Sequence, residues 1–422
     1  MQVTLAYGDG RLSLDLPEER TTVIKPTFRP ALPDPGRAIH DALRAPINSR
    51  PLKEIARKGQ RVAISVCDLT RAQPRQLMVQ AILDEFDGVV RPEDVTILIA
   101  TGTHRVNTDD EVRDMLGEEI TSPCRVVNHV ARDEDSLDDL GMIRGFAGND
   151  VPVKLNSEWT GADLRITTGF VEPHFFAGFS GGPKMVAPGL AGIDTVLTLH
   201  DAARIGHPEA TWGTTEGNPV HEDVRAIARL ALPDFSVDVV LNSDQQVTGV
   251  YAGELFAMHA AACERARLDS MQPVDQPFDL VITSNSGYPL DQNLYQAVKG
   301  MSAAARVVKP GGLIVCASEC RDGIPDHGSY ASILSSRPDP ASLLEMIETP
   351  GYSEPDQWQV QIQAKIQMRA RVLVKADKLS DAQLRASHFE SIDDIQAAIN
   401  AMGGDASICV LPEGPQTIPY IS

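Results

Sequence analysis

The amino-acid sequence predicts an α/β protein with two lobes, each built on a mostly parallel sheet. Short runs of β-branched and apolar residues recur along the chain, and each run ends in a polar or glycine-rich segment. Helical stretches fit between several of these runs, and strands that alternate with helices are typical of parallel α/β sheets. The predicted strands are RVAISV (61–66), DVTILIA (94–100), DLRITTGF (163–170), VDVVLN (237–242), DLVITS (279–284), GLIVCA (312–317) and ARVLVKA (370–376).

Local signals predict the other elements. The first 16 residues alternate around a Gly-Asp-Gly sequence at 8–10, which predicts a β-hairpin. Residues 76–86 space their apolar side chains at a period near 3.6 and predict a helix. Two further helix starts are indicated by capping boxes, which are Thr108 with Glu111 and Ser380 with Gln383.

A polar segment with two prolines near 270–278 predicts the boundary between the lobes. We therefore expect an N-terminal catalytic domain at 1–273, which anchors a cofactor, and a C-terminal domain at 274–422, which closes the site. Parallel sheets place their chemistry beyond the carboxyl ends of the strands, and two-lobed proteins commonly bind ligands between the lobes. The expected active site is the cleft between the two lobes.

Composition argues against several classes of protein. The 422 residues hold 38 Lys and Arg against 58 Asp and Glu, and the resulting charge of −20 disfavours partners such as nucleic acid or an anionic membrane surface. No apolar run reaches the roughly 18 residues of a membrane span. The N-terminus lacks the pattern of a secretory signal, and the six cysteines are scattered. We therefore expect a cytoplasmic globular protein.

The densest candidate site is VEPHFFAGFSGGPKMVAPGLAG at 171–192, directly after a predicted strand. Glycines such as Gly181 and Gly182 let backbone N–H groups approach a phosphate closely, but Lys184 lacks the spacing of a P-loop lysine. A desolvated lysine amine is a nucleophile, so Lys184 is a candidate covalent anchor for pyridoxal phosphate or for another aldehyde or acyl cofactor. The alternative is a structural turn with a solvated lysine.

Three histidines are candidates for chemistry. His104 and His174 each follow a predicted strand, and two imidazoles on opposite faces of a substrate could exchange proton duties because their pKa lies near neutral pH. His200 follows 16 residues after Lys184 and could bind a metal ion through a neutral ring nitrogen. Taken singly, each histidine is as readily explained by packing.

Three further segments carry candidate binding residues. In CDLTRAQP, Arg71 offers a planar fork for a carboxylate or phosphate, and Asp68 could hold Arg71 or orient a histidine. On a predicted helix, Gln296 and Lys299 share a face that could present an amide and a cation to a small carboxylate. Trp358 begins a glutamine-rich helix and is either a core contact or a lid over a planar cofactor. A loop salt bridge and a solvated helix face are the alternatives for the first two segments.

Together these segments resemble the lactate racemase family that uses a nickel pincer nucleotide. The motifs run in the family's order from about residue 60 to 300, and with the hairpin and the second α/β lobe the resemblance covers nearly the whole chain. The glycine-rich segment is the most specific of them. The matching motifs are DLTR (68–71), GTHR (102–105), EPHFFAGFSGGPKMVAPG (172–189), LHDAAR (199–204), GNPVHED (217–223) and YPLDQNLYQAVKG (288–300).

The resemblance implies a cofactor and a set of roles. The cofactor is a pyridinium mononucleotide with a thioamide and a thiocarboxylate, which holds nickel. Lys184 corresponds to its covalent anchor, His200 to the protein ligand of nickel, and His104 and His174 to the acid/base pair, one for each face of the substrate. The other implied contacts are Asp68, Arg71, Gly181, Gly182 and Trp358 toward the cofactor, and Arg71, Tyr295, Gln296 and Lys299 toward the substrate.

The implied function is a racemase or epimerase that inverts C2 of a small 2-hydroxy acid by proton-coupled hydride transfer to the cofactor. Ala72 and Gln73 stand before Pro74, where the family usually has proline directly after the arginine, which leaves the substrate size open. The alternatives are an epimerase of a larger aldonic acid, a net redox reaction, a non-catalytic cofactor-binding protein and a lysine–pyridoxal enzyme. Cofactor-maturation enzymes are implied partners, and the sequence leaves the oligomeric state open.

Overall fold

The computed structural model describes residues 1–325 and 328–422, which form two compact units. The larger unit contains Phe28–Leu199 and Pro208–Arg267. The smaller unit contains Met1–Thr27, His200–His207 and Leu268–Ser422. In the described part of the chain, no helix combines the length and apolar composition that a membrane crossing requires.

Strands and helices alternate over most of the chain. The strands are β1 (Gln2–Tyr7), β2 (Gly10–Asp15), β3 (Thr21–Val23), β4 (Val62–Cys67), β5 (Val95–Ala100), β6 (Arg125–Asn128), β7 (Leu137–Arg144), β8 (Asp150–Asn156), β9 (Leu164–Phe170), β10 (Pro173–His174), β11 (Gly178–Phe179), β12 (Phe235–Leu241), β13 (Val247–Gly253), β14 (Met271–Val274), β15 (Phe278–Ser284), β16 (Val308–Ala317), β17 (Arg371–Lys375), β18 (Glu390–Ser391), β19 (Ile408–Leu411) and β20 (Ile418–Ile421). The helices are α1 (Pro35–Arg44), α2 (Leu52–Ile55), α3 (Arg75–Phe86), α4 (Asp109–Leu116), α5 (Glu118–Thr121), α6 (Ser157–Thr160), α7 (Ile193–Leu199), α8 (Ala202–Gly206), α9 (Pro219–Leu230), α10 (Leu255–Ser270), α11 (Leu294–Ala305), α12 (Tyr330–Ser335), α13 (Pro340–Ile347), α14 (Gln357–Arg369), α15 (Asp381–Ala386) and α16 (Ile395–Ala401).

The larger unit is built on a sheet with the order β13-β12-β9-β4-β5-β6. All its strands pair in parallel except β13, which runs antiparallel to β12. The central strand β4 is buried at every position, as expected for a parallel strand that is covered on both faces and therefore reads as one apolar run. The predicted α/β class with mostly parallel sheets is confirmed here.

The smaller unit contains a second parallel sheet, with the order β18-β17-β16-β15-β19-β3. The predicted hairpin at the start of the chain is present as β1 and β2, in full antiparallel register. Alternate residues of the hairpin, such as Leu5 and Leu14, are buried in one core with Leu280 and Ile282 of β15. The alternation of side chains that predicted the hairpin therefore also gives it one buried face.

The compact units do not follow chain order. Residues 1–27 belong with the C-terminal residues, whereas the sequence assigned them to a domain that ends at 273. The physical reason is strand pairing, because β3 adds to the edge of the sheet beside β19, with Val23 opposite Val410. This pairing joins residues nearly 400 positions apart, and no local pattern indicates it.

Both predicted capping boxes are formed. The hydroxyl of Thr108 accepts from the backbone N–H of Glu111, and Ser380 does the same with Gln383. The glutamine-rich helix that the sequence predicted from Trp358 is present as α14. Four of its glutamines are buried. Gln357 accepts from the backbone N–H of Glu354 just before the helix, whereas the other three donate to carbonyls of distant segments; these are Gln359, Gln361 and Gln363.

Candidate active site

The glycine-rich segment follows β9 and turns back on itself through the short β10–β11 ladder. Lys184 lies on a single helical turn at 182–185, where its backbone N–H donates to Gly181 and its carbonyl accepts from Gly189. Its ammonium lies 5.8 Å from the centre of the Phe176 ring. Two backbone hydrogen bonds therefore fix the main chain of Lys184, while its side chain is half-buried.

Gly181 and Gly182 have positive φ angles of 70° and 51°, in the region that favours glycine. A Cβ atom at Gly181 would lie 2.7 Å from a carboxylate oxygen of Asp238, and one at Gly182 would lie 2.4 Å from the His259 ring. Both glycines are therefore required by close packing beneath the loop. The backbone N–H of Gly182, a candidate phosphate donor, is directed at Asp238.

Asp238 is a site residue that the sequence reasoning missed. It lies in the middle of β12, is fully buried, and accepts from the Gly182 N–H at 2.7 Å through Oδ2. Among the described residues, its Oδ1 has no hydrogen-bond partner. Burial raises the pKa of this carboxyl to about 7, although the Gly182 N–H opposes the shift. The available signal was an aspartate flanked by valines in the middle of a predicted strand.

His174 lies on β10 with its ring against Phe175 and Phe176. Its Nδ1 accepts from the backbone N–H groups of Phe176 and Ala177, at 3.5 and 3.3 Å. An accepting Nδ1 places the proton of the neutral ring on Nε2. The loop therefore determines the tautomer, and Nε2 is the nitrogen through which this histidine would exchange a proton with a ligand.

His104 and Asp68 form a pair across two strand ends. The Nδ1 of His104 lies 2.6 Å from Oδ2 of Asp68, and the other carboxylate oxygen accepts from the Thr70 N–H and hydroxyl. Burial alone would raise the pKa of Asp68. The pKa is nevertheless held well below its usual range, because the carboxylate bonds to His104 and Thr70 and lies near the charges of His104 and Arg71. Of the two alternatives for Asp68, the structure therefore favours orientation of a histidine.

Two further residues build the shape of this loop: Gln73, which the sequence showed only as a departure from the family pattern, and Arg75, the first residue of α3. Buried Arg75 donates to the carbonyls of Cys67, Asp68, Arg71 and Gln73. Gln73 accepts from the Cys67 N–H and donates to Thr168, each at 2.7 Å.

Arg71 itself is exposed, and its guanidinium donates to the hydroxyl of Thr70 at 2.9 Å. A guanidinium held at the surface of a rigid loop can present its planar fork to a carboxylate or phosphate. The unusual Ala-Gln-Pro sequence that follows Arg71 is accommodated because Gln73 turns inward.

The remaining predicted site residues lie in the smaller unit. His200 is buried, and its ring centre lies 4.7 Å from that of Trp358 at an interplanar angle of 48°. The Trp358 indole N–H donates to the Tyr295 hydroxyl at 3.2 Å. Gln296 and Lys299 are half-buried on α11, in the first turns of the helix that the sequence predicted. The structure thus brings His200, Trp358 and Tyr295 together.

Donor chemistry provides a test of whether these residues fit the nickel nucleotide. Over residues 1–325 and 328–422, no group of three or more His, Cys, Asp or Glu side chains could hold a metal ion. Imidazole suits nickel, so the His200 ring could bind a nickel ion that a bound group carries. A single buried imidazole beside an indole fits a cofactor that supplies its own sulfur and carbon ligands.

Comparisons with known proteins identify the family to which the chain belongs. A lactate racemase from Lactiplantibacillus plantarum is 36% identical over 383 residues, which cover 89% of each chain. A lactate racemase from Thermoanaerobacterium thermosaccharolyticum is 33% identical over 427 residues and covers 99% of this chain and 98% of its own. The chain belongs to the lactate racemase family. Two family descriptions match it, the lactate racemase N-terminal domain at 7–213 and the C-terminal domain at 274–418.

Solved structures show the family fold as well. The lactate racemase apoprotein from Thermoanaerobacterium thermosaccharolyticum superposes with a TM-score of 0.90 at 32% identity, and the match covers 99% of this chain and all of that one. A protein from Thermotoga maritima shares the fold at a TM-score of 0.71 and 18% identity, over 92% of this chain and 98% of its own. As a member of the lactate racemase family, the chain is a racemase, and therefore an isomerase.

Proposed function

We propose that the enzyme inverts C2 of a small 2-hydroxy acid, with lactate as the first candidate because both curated relatives are lactate racemases. The observation that carries the proposal is a pair of histidines whose ring protons are directed by the protein. Asp68 accepts from Nδ1 of His104, and backbone N–H groups bond to Nδ1 of His174. Inversion of a carbinol centre requires a proton acceptor and a proton donor, which two such imidazoles supply.

The proposed cofactor is the nickel pincer nucleotide. Lys184 would hold it covalently, and His200 would ligate its nickel. When bound, it supplies an electron-poor acceptor for the C2 hydrogen, which is too weakly acidic to be removed as a proton at low cost. Trp358, against the His200 ring, would cover a planar group bound there.

The two histidines have complementary duties in this proposal. A neutral His104 that donates Nδ1–H to Asp68 has its lone pair on Nε2 and can take the hydroxyl proton of the substrate. The Asp68 carboxylate then stabilises the imidazolium that forms. His174 exchanges its proton through Nε2 as well, because its Nδ1 accepts from the loop. One histidine would serve each enantiomer.

The substrate carboxylate needs cationic or amide donors, which the remaining family positions supply. Arg71 presents a guanidinium, Lys299 an ammonium, Gln296 an amide and Tyr295 a hydroxyl. These groups are the proposed substrate contacts. They recognise the 2-hydroxycarboxylate end that lactate shares with larger aldonic acids, so the length of the acid is a question for the substrate screen.

The test uses protein co-expressed with cofactor-maturation enzymes. We expect a nucleotide-sized increase in intact mass, about one nickel per chain, and racemization in a screen of lactate and aldonic acids. Lys184→Ala should lose the mass increase, because the amine forms the bond. Unmodified wild-type protein without nickel, prepared beside a loaded control racemase, would refute the proposed cofactor. A loaded protein that turns over none of the acids would refute the proposed substrate class.

A further inference from the structure

Helix α14 carries a row of three side chains that all contact the short segment 200–207. Trp358, Gln361 and Lys365 are separated by three and four positions, so they lie on one face of the helix. Trp358 packs against the ring of His200. The Gln361 amide donates to the carbonyl of Ala202, and the Lys365 ammonium donates to that of Gly206, each at 2.9 Å.

The segment that these residues contact has little stability of its own. Helix α8 has five residues, too few to be stable in isolation. Its N-terminus is capped by Asp201, which accepts from the Arg204 N–H at 2.8 Å. The bonds from α14 connect this turn to a helix of 13 residues.

Gln361 is the strongest of these attachments. It is fully buried, and among the described residues its Oε1 has no hydrogen-bond partner, so the amide is held through Nε2 alone. A buried donor without a hydrogen bond costs free energy. The bond to Ala202 satisfies the Nε2 donor and connects Gln361 to the backbone two residues after His200. Lys365 is exposed, so its bond contributes less.

We propose that Gln361, with Lys365 in a lesser role, is a positioning residue for the His200 imidazole. By fixing the carbonyls of Ala202 and Gly206, the two side chains hold His200 against Trp358 in the orientation that binds nickel. This inference rests on the proposed function, in which His200 is the nickel ligand. Partners that orient a metal-binding histidine typically change metal affinity 10- to 100-fold when they are removed.

Gln367 provides a matched control on the same helix. Its amide donates to the carbonyl of His388 at 2.8 Å, so it makes the same kind of bond to a segment that does not carry His200. Methionine keeps the unbranched shape of glutamine and cannot donate. The variants Q361M and Q367M therefore each remove an amide-to-carbonyl hydrogen bond, the first to the segment of His200 and the second to His388. K365M removes the exposed hydrogen bond to the Gly206 carbonyl.

The experiment measures nickel loss to a chelator from wild-type and variant proteins that carry the covalent cofactor, together with their absorption spectra and intact masses. We expect the mass increase in all of them, nickel loss at least about tenfold faster in Q361M, a smaller acceleration in K365M, and the wild-type rate in Q367M. Equal rates in wild type, Q361M and K365M would overturn the inference and leave the proposed function standing.

Two further outcomes would also support or overturn the inference. Should Q361M fail to fold, K365M decides, because its side chain is exposed: faster nickel loss supports the inference and the wild-type rate overturns it. A wild-type protein that takes up no nickel in the presence of the maturation enzymes overturns the proposed function, and the inference with it.

Discussion

At the residue scale, Asp238 places an ionisable carboxyl in the protein interior, where its charged form is unfavourable. Its carboxyl is fully buried beneath the loop of Lys184, with one hydrogen bond from the Gly182 N–H. Taking a carboxylate out of water favours its neutral form, which is why burial raises its pKa to about 7. The conformation of the loop that carries Lys184 is therefore coupled to the protonation of Asp238 beneath it.

This linkage predicts a pH-dependent effect of Asp238→Asn. The ordinary pKa of 3.8 applies to the unfolded chain and about 7 to the folded one. Between these values only the folded state binds the proton, so wild-type stability falls as pH rises, by about 1.4 kcal/mol per unit. Asparagine does not titrate. From pH 5 to pH 8 we expect the stability of the variant, measured by urea unfolding, to rise relative to wild type by roughly 2.6 kcal/mol. A difference that stays constant with pH would contradict the shift.

The pair of Asp68 and His104 predicts a functional effect. Asp68→Asn replaces an acceptor by an amide that can donate to Nδ1, so His104 would adopt the wrong tautomer. We expect kcat/KM for racemization to fall about 100-fold or more, equally in both directions because the enantiomers have equal free energy. Intact mass and nickel content should stay at wild-type levels, which separates this loss from failed cofactor loading. Wild-type turnover would remove Asp68 from this role.

At the scale of elements, helix ends could be predicted because their signals are local. Thr108 caps α4 through the backbone N–H of Glu111, and Glu111 bonds back to the Thr108 N–H. Four consecutive residues contain the whole arrangement. Helix α14 shows the opposite case, because its glutamines bond to carbonyls of distant segments. A glutamine in the sequence does not reveal whether such a carbonyl lies within reach.

The capping box predicts a stability effect. Thr108→Ala removes the side-chain acceptor at the start of α4, and we expect a loss of about 1 kcal/mol in the free energy of unfolding. Ser380→Ala removes the corresponding cap of α15 and should cost a similar amount. Denaturant unfolding measures both. A loss well above 2 kcal/mol at Thr108 would show that the cap also supports the loop that carries His104.

At the scale of the whole molecule, each compact unit is assembled from two or more separate segments of the chain. Residues 1–27 complete the sheet and the core of the smaller unit, and the segment at 200–207 belongs to that unit although its neighbours on both sides do not. Each unit consequently depends on residues that are far apart in sequence.

Leu5→Ala tests this organisation. Leu5 is fully buried in the core formed by the hairpin and β15, and removal of such a side chain typically costs 2–5 kcal/mol. We expect new proteolytic cleavages in the smaller unit, including its C-terminal residues. Leu12 lies opposite Leu5 in the hairpin but is only partly buried, so Leu12→Ala should cost less. Cleavage confined to the larger unit would contradict the division.

The sequence by itself determined the α/β class, seven strands of the two large sheets, the N-terminal hairpin and the caps of α4 and α15. The periods of 2 and 3.6 and the capping pairs are all contained within a few consecutive residues. It also offered His104, His174, Lys184 and His200 as candidates for chemistry, because motifs preserve residue type and spacing.

Only the tertiary structure decided what surrounds these side chains: Asp238 beneath the glycines, Arg75 within the DLTR loop, and Gln361 beside the segment of His200. The contacts of Asp238 and Gln361 join residues 56 and 159 positions apart. Burial and hydrogen-bond partners at such separations depend on where the chain folds back, and no local pattern carries that information.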